Sequence, residues 1–297
     1  MTLLSILIPV YKYNVVPFIK ELQQSALAAN ISFEIRVYDD ASGLEWNSIN
    51  QETGNLEGVI YRHFENNIGR SAMRNQLAKD AAFDNLLFID GDSGLFSPTY
   101  ITDIIKYLDS DRVIVGKTLY RDNPPKDKRQ YLRWLFGQQR ESIAANIRQA
   151  NPYQSFKTHH FAIKKQHFVD FGFNERLREY GHEDTLFGIQ LKNKRIPVLH
   201  VDHGLYHEGL EAAEIFLKKT DQAIKNLLFI NQENLVIDTK LWNTYQKLSK
   251  LPGIKLCLPI FRLINKVCLN KLLSSKPSLF SLDIYKLSKL FIFSSCS

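Results

Sequence analysis

The chain has 297 residues, 44% of them apolar, and this is typical of a globular protein with one large domain or two ordinary ones. Its formal net charge of +7 is uneven: residues 251–297 carry seven basic residues against Asp283, a net +6, which leaves +1 for residues 1–250. A nucleic-acid-binding protein would be expected to spread basic charge over its folded body or along a groove, so the sequence does not favour a nucleic-acid partner.

The cysteines and the apolar runs limit the compartment. Cys257, Cys268 and Cys296 have no C-x-x-C pairing, which indicates neither a disulfide framework nor a zinc site and favours a reducing, cytoplasmic location. No run approaches the roughly 18 apolar residues of a membrane-spanning helix. The first residues, "MTLLSILIPVYK", lack the basic region and cleavage site of a signal peptide, and they predict a strand.

Strand and helix patterns alternate from Leu4 to about Thr118. The predicted elements are, in order, "LSILIPV", "VVPFIKELQQSALAA", "FEIRVYDD", "GVIYRHF", "GRSAMRNQLAKDAA", "LLFIDGDS", "SPTYITDIIKYLDS" and "RVIVGKT". This alternation predicts an α/β fold with a mainly parallel sheet flanked by helices. Ligands of such folds collect at the carboxyl ends of the strands.

The second half of the chain is less regular. Residues 119–152 are polar and basic, and they predict either a flap beside the sheet or a plain surface excursion. "THHFAIKKQHF" and "KNKRIPVLHVDHGLYH" predict further strands, with a helix at "GHEDTLFGIQLKN" between them. After Glu208 the pattern is helical, interrupted at Pro252, Pro259 and Pro277.

Two acids follow the predicted strand at "LLFIDGDS". In an extended chain Asp90 and Asp92 face the same side, and Gly91 lets another group approach the backbone. Converging carboxylates suit Mg²⁺ or Mn²⁺ shared with the phosphates of a nucleotide, although a turn with two solvated acids is the alternative. Asp39 and Asp40 end the second strand in the same way, so we expect both acidic clusters at one edge of the sheet.

Two common nucleotide-binding motifs are absent from the sequence. No G-x-G-x-x-G follows the first strand, and no G-x-x-x-x-G-K-[ST] occurs. Any phosphates must therefore be held by other groups.

Five segments in order resemble the motifs of inverting glycosyltransferases of family 2, which have the Rossmann-like GT-A fold. They are "SILIPVYKYN", "YDDASG", "NNIGRSAMRNQLA", "FIDGDS" and "GHEDTLFGIQL", and the resemblance covers roughly residues 3–230. It implies a nucleotide-diphosphate sugar donor, a Mn²⁺ or Mg²⁺ ion on its diphosphate, and direct displacement at the anomeric carbon by an acceptor hydroxyl.

The resemblance also implies the donor-binding residues. Pro9 and Tyr11 would line the base pocket, and Asp39 would accept a hydrogen bond from the base, usually uracil. Arg70 and Arg74 lie at or near a helix start that favours phosphate; the alternative is a pair of surface helix arginines.

The family assigns separate roles to the acids. Asp92 corresponds to the direct metal ligand, and Asp90, beside Gly91, to a contact with the ribose or with metal-bound water. His207 matches a third metal ligand of related enzymes, ahead of His203, although an isolated histidine is more often structural.

The general base is expected in "GHED". The second acid of the family's E-D pair is the base, which indicates Asp184, and Glu183 would hold the acceptor. Acids are also favoured in the first turn of any helix, so a purely structural role is the alternative.

Two features depart from the family pattern. Gln190 stands where the family often has arginine, seven residues after Glu183, which puts the local salt bridge in doubt. "QYLRW" has the letters of a motif of processive synthases, but it precedes the E-D pair, and we interpret it as chance. We therefore expect one sugar to be added per encounter.

The predicted domains are a GT-A domain at 1–235 and a helical basic tail at 236–297. Within the first, residues 1–118 would bind the nucleotide sugar and residues 119–235 the acceptor. The tail either packs as ordinary helices with solvated lysines or attaches to an anionic membrane surface through residues such as Ile254, Leu258 and Lys255. In the second case a chain ending near Lys250 is expected to stay folded.

The function expected from the resemblance is transfer of a hexosyl or N-acetylhexosaminyl group, with UDP-sugar as the expected donor. The acceptor would be a glycan or a lipid-linked glycan in cell-surface polysaccharide synthesis, with the enzyme cytoplasmic or peripheral on the inner membrane face. The alternatives are a catalytically inactive nucleotide-sugar or glycan binder and a sugar nucleotidyltransferase, although the glycine-rich, lysine-bearing loop of the latter is absent.

Overall fold

The computed structural model describes residues 2–177, 180–233, 235 and 237–295. Cys296 and the side chain of Lys255, both named above, lie outside the described residues. The strands are β1 Leu3–Val10, β2 Ser32–Asp39, β3 Val59–His63, β4 Asn85–Ile89, β5 Ser93–Leu95, β6 Val113–Leu119, β7 His160–Lys164 and β8 Val198–His207. The α-helices are α1 Val16–Ala28, α2 Leu44–Asn50, α3 Arg70–Asp80, α4 Tyr100–Ile104, α5 Tyr131–Phe136, α6 Ala145–Gln149, α7 Lys165–Val169, α8 Glu183–Asn193, α9 Ala213–Gln232, α10 Lys240–Ser249, α11 Leu258–Leu272 and α12 Leu279–Ser294.

The strands in the described part of the chain form one eight-stranded sheet in the order β3-β2-β1-β4-β7-β6-β8-β5. β3, β2, β1 and β4 are parallel, as the alternating pattern predicts, so their carboxyl ends lie at the same edge. β7 runs antiparallel to β4 and β6, and β5 runs antiparallel to β8. The α/β fold with a helical C-terminal region is confirmed, and the antiparallel members are what the pattern did not reveal.

The central strand β1 shows why the sheet is buried on both faces. Ile6 and Ile8 face one core cluster, whereas Leu7 faces a second cluster on the other side, and all three side chains are inaccessible to solvent. Continuous apolar runs of this kind are typical of parallel strands covered by helices on both sides. Stacked aromatic rings fill the second cluster, where Phe88 lies 4.7 Å from Phe161 and 4.9 Å from Phe168.

The chain divides into two compact units. The sheet unit comprises Met1–Tyr120, Ser142–Arg178 and Phe187–Gly209, and it holds every strand named above. The helical unit comprises Arg121–Glu141, Glu179–Leu186 and Leu210–Ser297. Both units are assembled from separate segments, whereas the sequence prediction used continuous ones; the division into nucleotide-sugar and acceptor halves stays a prediction.

Residues after Leu251 contribute to the core of the helical unit. Leu272 of α11 and Leu282 of α12 are buried in one cluster with Phe216 of α9. The Tyr285 hydroxyl donates to Asp221 Oδ1 at 2.9 Å, and Lys289 forms an ion pair with Asp221 at 2.7 Å. The C-terminal helices therefore share a core with α9, so a chain ending near Lys250 is not expected to stay folded, contrary to the expectation that the sequence analysis attached to membrane attachment. Among the described residues, none of the helices combines the length and apolarity that crossing a bilayer requires.

Candidate active site

The acids of the sequence analysis lie where the parallel strands end. Asp39 closes β2 and pairs in register with Val10, the last residue of β1, while Pro9 pairs with Tyr38. Asp90 follows the last residue of β4. The parallel register thus places Pro9, Asp39 and Asp90 at the carboxyl edge of the sheet, as expected.

Asp39 is fully buried, and one of its carboxylate oxygens is unsatisfied. Oδ1 accepts a hydrogen bond from the Ser42 backbone at 2.8 Å and lies 3.2 Å from Nδ1 of His63. Oδ2 has no hydrogen-bond partner among the described residues. A buried acceptor left unpaired costs free energy, and an N–H donor of a ligand would remove that cost. Because Asp39 is covered, the side chains above it must shift before a ligand can reach it.

Asp40 fixes the loop that leads into α3. Its two carboxylate oxygens accept hydrogen bonds from the backbone N–H groups of Ile68 (2.7 Å) and Gly69 (3.0 Å). Burial raises the pKa of Asp40, while these two bonds lower it. Gly69 has φ +86°, a conformation that other residues rarely adopt, and it starts the helix so that Arg70 is its first residue. Asp40 therefore sets where α3 begins.

The second arginine of α3 is paired with the first acid of the D-x-D segment. Arg74 is buried, and its Nη2 lies 2.5 Å from Asp90 Oδ1. Its Nε and Nη1 have no partner among the described residues. Removal from water raises the pKa of Asp90, Asp92 adds to that rise, and the charges of Arg74 and Arg70 oppose it. A second anion beside Arg74 would accept hydrogen bonds from the remaining N–H groups of its guanidinium.

The segment from Asp90 to Asp92 is a turn between β4 and β5. Its acids are not simply solvated, as the turn alternative had it, because Asp90 is ion-paired with Arg74. Ser93 Oγ donates to the Asp90 carbonyl at 2.7 Å and closes the turn. A Cβ on Gly91 would lie 3.0 Å from the Pro9 carbonyl oxygen, and glycine thus allows the turn to approach β1. Both acids remain available at the turn to bind a metal ion or a nucleotide.

Asp92 and His207 are brought together by strand pairing. β5 pairs with β8 so that Ser93 is opposite His207, and His207 Nε2 lies 3.5 Å from Asp92 Oδ2. The Tyr120 ring stacks on the His207 ring at 5.6 Å. Nδ1 of His207 is buried and has no hydrogen-bond partner among the described residues. The strand register thus places His207 beside Asp92, and its role as a metal ligand stays a prediction.

The donor set suits a hard divalent cation that also binds a phosphate. Among the described residues, no group of three His, Cys, Asp or Glu side chains is arranged to hold a metal ion by itself. Mg²⁺ and related ions are commonly held by one or two carboxylates together with substrate phosphates. Asp92 and His207 fit that incomplete arrangement, in which the ligand supplies the other oxygens.

Sequence reasoning missed three residues that border Asp92. The pKa of Tyr13 is raised to about 12 by burial and by the charges of Asp92 and Glu208. The Glu208 backbone N–H donates to the Asp92 carbonyl at 2.8 Å. A Cβ on Gly209 would lie 2.1 Å from Asp92 Oδ2, so glycine makes room for that carboxylate. The only available signal was that Glu208 and Gly209 directly follow His207.

His159 contacts the same turn, whereas the adjacent His160 lies in the neighbouring core. Ser93 Oγ lies 3.1 Å from His159 Nε2, and His159 Nδ1 lies 3.1 Å from the Thr118 hydroxyl. Because the Ser93 hydroxyl proton goes to the Asp90 carbonyl, Nε2 of His159 donates to Ser93 Oγ. His160 is buried and hydrogen-bonded to the Tyr100 hydroxyl, and burial holds its pKa well below the ordinary value, so it is neutral.

Tyr11 and the two catalytic candidates remain. Tyr11 is 52% exposed, with the Lys12 ammonium 5.1 Å from its ring. Glu183 and Asp184 belong to the helical unit, whereas the other predicted site residues belong to the sheet unit. Glu183 is buried, and Asp184 Oδ1 accepts a hydrogen bond from the Thr185 backbone at 2.7 Å. Both acids lie in the first turn of α8.

The loop before α8 is fixed by α9. Gly181 has φ +99°, and a Cβ there would lie 2.6 Å from the Ala223 Cβ, so only glycine fits. Asn226 Nδ2 donates to the carbonyls of Tyr180 and Gly181 at 3.2 and 2.9 Å. His182, with φ +71°, then leads into the helix. These contacts determine where α8 begins and hence where Glu183 and Asp184 lie.

Gln190 and the "QYLRW" segment, the two departures from the family pattern, differ in how their side chains are hydrogen-bonded. The Gln190 side-chain oxygen is buried without a hydrogen-bond partner in the described part of the chain. In "QYLRW", Arg133 is ion-paired with Glu141 at 2.9 Å, and the Trp134 indole N–H donates to the Arg121 carbonyl at 2.8 Å. Both of these residues therefore contribute contacts within the helical unit.

The sequence was compared with protein families and with curated proteins. The model of glycosyl transferase family 2 matches residues 5–174. No curated protein matches the sequence.

Three solved structures are similar in fold. TarS 1–349 of S. aureus in complex with UDP has 17% identity and a TM-score of 0.52, with 100% of this chain and 92% of that chain covered. The mannosyltransferase PcManGT of Pyrobaculum calidifontis, in complex with GDP-Man and Mn²⁺, has 12% identity and a TM-score of 0.56, with 99% and 86% covered. Glucosyl-3-phosphoglycerate synthase of Mycobacterium tuberculosis, in complex with Mn²⁺, UDP and glucosyl-3-phosphoglycerate, has 14% identity and a TM-score of 0.52, with 79% and 81% covered.

Proposed function

Because the chain belongs to glycosyl transferase family 2, we propose that it moves one sugar from a nucleotide-diphosphate sugar to an acceptor hydroxyl with inversion at the anomeric carbon. One observation carries the proposal. Asp90 and Asp92 lie in a single turn at the carboxyl edge of the sheet, where Arg74 pairs with Asp90 and His207 lies beside Asp92. This arrangement combines a cation for phosphate with acidic groups for a metal.

The donor we propose is a UDP-sugar. Pro9 and Tyr11 would line the base pocket, and the unsatisfied Oδ2 of Asp39 would accept the imide N–H of uracil. Arg70 and Arg74 would contact the diphosphate, which would satisfy the guanidinium groups of Arg74 that have no partner among the described residues. The UDP in the TarS complex and in the glucosyl-3-phosphoglycerate synthase complex supports this choice.

Mn²⁺ or Mg²⁺ is the cofactor we propose, with Asp92 and His207 as direct ligands and Asp90, beside Gly91, reaching the ribose or metal-bound water. When bound, the cation would neutralise the charge that develops on the leaving diphosphate. Support comes from the Mn²⁺ in the complexes of PcManGT and glucosyl-3-phosphoglycerate synthase. The hard oxygens of the D-x-D segment suit the same ions.

Asp184 is the general base in this proposal, and Glu183 positions the acceptor. The acceptor oxygen forms a bond to the anomeric carbon, the bond from that carbon to the diphosphate breaks, and the acceptor proton moves to the Asp184 carboxylate. The assignment rests on membership of the family, and the loop that Asn226 holds before α8 gives both acids a fixed backbone position.

The transferred group we propose is a hexosyl or N-acetylhexosaminyl group, and the acceptor a glycan or a lipid-linked glycan of cell-surface polysaccharide synthesis. The enzyme would work in the cytoplasm, where a lipid-linked acceptor would require contact with the inner membrane face.

The test is a panel of UDP- and GDP-sugars incubated with the full chain, Mn²⁺ and glycan acceptors, with released nucleotide as the readout. Release of UDP or GDP supports a transferase, and its loss in chelator supports the metal. Tight donor binding without release would indicate an inactive binder. Formation of a nucleotide sugar from a nucleoside triphosphate and a sugar phosphate would indicate a nucleotidyltransferase instead.

A further inference from the structure

Helix α11 is apolar on two opposite sides, although only one of them is packed. On the packed side Cys268 and Leu272 lie in the core of the helical unit. On the other side lie three exposed apolar residues, here called the α11 stripe: Ile260 (55% exposed), Leu263 (64%) and Val267 (62%). Their spacings of three and four residues align them along one face of the helix. Leu256, in the short 3-10 helix that precedes α11, is also exposed (85%). Single exposed apolar residues are ordinary, but an aligned row is not.

Basic residues border the α11 stripe on both sides. At about 100° per residue, Lys266 projects to one side of it and Lys271 to the other, and Arg262 lies farther round the helix on the side of Lys266; all three are exposed. The sequence of α11 contains no acidic residue. Asp283, the one acid after Leu251, is ion-paired with Arg140 at 2.9 Å. The face is therefore apolar along its centre and cationic along both edges.

We propose that the α11 stripe and its bordering Lys and Arg residues bind an anionic lipid surface, with the helix lying in the plane of the interface. The apolar side chains would enter the boundary between headgroups and acyl chains, while the long basic side chains extend to lipid phosphates. A second copy of the chain is a poorer occupant, because pairing two such faces would bring Lys266 and Lys271 of both copies together. The proposal goes beyond sugar transfer and does not depend on it.

The charge pattern determines the strength and salt dependence of attachment. Each Lys or Arg near an anionic leaflet contributes about a fivefold gain in partitioning at low salt. Replacing Lys266 and Lys271 together by Gln should weaken partitioning by roughly 30-fold. Binding should also decrease as salt screens the surface potential.

The test is cosedimentation of the full chain with phosphatidylglycerol-containing vesicles and with phosphatidylcholine vesicles. We expect binding to the anionic vesicles at low salt, with at least a tenfold loss in Leu263→Gln/Val267→Gln and a clear loss in Lys266→Gln/Lys271→Gln. The matched control is Ile147→Gln, which replaces an apolar side chain of equal exposure (63%) in the sheet unit and should bind like the wild type. Circular dichroism confirms that each variant is folded.

Three results would overturn the proposal: no binding to anionic vesicles, binding by Leu263→Gln/Val267→Gln equal to that of Ile147→Gln, or concentration-dependent self-association without lipid that the same double variant abolishes. Nucleotide release measured without vesicles separates this proposal from the proposed function. We expect the double variant to keep that activity. Loss of vesicle binding with normal release therefore concerns the α11 stripe alone.

Discussion

Replacing Gly209 by alanine should displace Asp92 while leaving the fold intact. A Cβ at this position would lie 2.1 Å from Asp92 Oδ2 and 2.8 Å from its Cβ and Cγ, whereas ordinary contact begins at 3.4 Å. Gly209 is not among the described glycines with positive φ, so alanine is not excluded by its backbone. The whole Asp92 side chain must therefore retreat, its carboxylate by about 1.3 Å.

The size of the expected loss in rate follows from the precision with which reacting groups must be positioned. The backbone bond from Glu208 to the Asp92 carbonyl, at 2.8 Å, ties the two segments together and limits how far Gly209 can yield. A misplacement of about 1 Å costs on the order of 10²-fold in rate, and overpacking of this kind costs about 1–3 kcal/mol of stability. We expect kcat/KM for nucleotide release to fall about 100-fold in Gly209→Ala.

Steady-state release of UDP or GDP, whichever the wild type produces, measures this effect. Gly54→Ala is the matched control, because its added Cβ would meet its nearest neighbour, the Tyr61 Cβ, at 3.4 Å, and Gly54 also lacks a positive φ. Gly209→Ala with the kcat/KM of Gly54→Ala would refute the assignment of Asp92. Thermal melting of both variants separates loss of the site from loss of the fold.

Three further changes test other parts of the account. Asp184→Asn should lower turnover by roughly 10²- to 10⁴-fold with little change in donor affinity, and a normal turnover there, with loss in Glu183→Gln instead, would move the base to Glu183. Burial, with a smaller contribution from Arg148, lowers the pKa of His200 from 6.5 to about 4. Between these pH values the unfolded chain takes up a proton that the folded chain does not. The free energy of unfolding should therefore fall by up to about 3 kcal/mol on acidification. Chemical denaturation should show a shallower acid dependence in His200→Gln, and an unchanged slope would contradict this reasoning. A chain ending at Lys250 should lose the cooperative thermal transition of the helical unit, because α11 and α12 contribute to its core, and a preserved melting transition would contradict that packing.

The parallel half of the sheet could be predicted because its interior strands β1 and β4 are buried on both faces. "LSILIPV" has no polar alternation apart from Ser5, and it forms the central strand from Leu3 to Val10. The direction of β7 could not be predicted, because its apolar pattern is the same whether it pairs parallel or antiparallel with β4. The three-residue strand β5 is too short for periodicity, yet its register brings His207 beside Asp92.

The acids of the site could be predicted because they follow apolar runs, whereas their supports could not. Glu208 and Gly209 lie against Asp92, and the charge of Asp92 helps to raise the pKa of Tyr13, through tertiary placement that no local pattern encodes. Buried Arg148 is a similar case: it donates to the Gly116 and Val201 carbonyls at 2.9 and 2.8 Å from a segment that reads as polar surface. A polar sequence does not reveal which of its cations the fold will bury.

The most direct test of the account is Mn²⁺ titration of the full chain by calorimetry, with and without UDP. Among the described residues no three-ligand cluster is preformed, so tight Mn²⁺ binding should require the nucleotide. With UDP present, Asp92→Asn should lose more Mn²⁺ affinity than Asp90→Asn, since Asp92 lies beside His207 and Asp90 is already paired with Arg74. Equal Mn²⁺ binding with and without UDP, or an unchanged affinity in Asp92→Asn, would contradict a metal nucleotide site at this edge of the sheet.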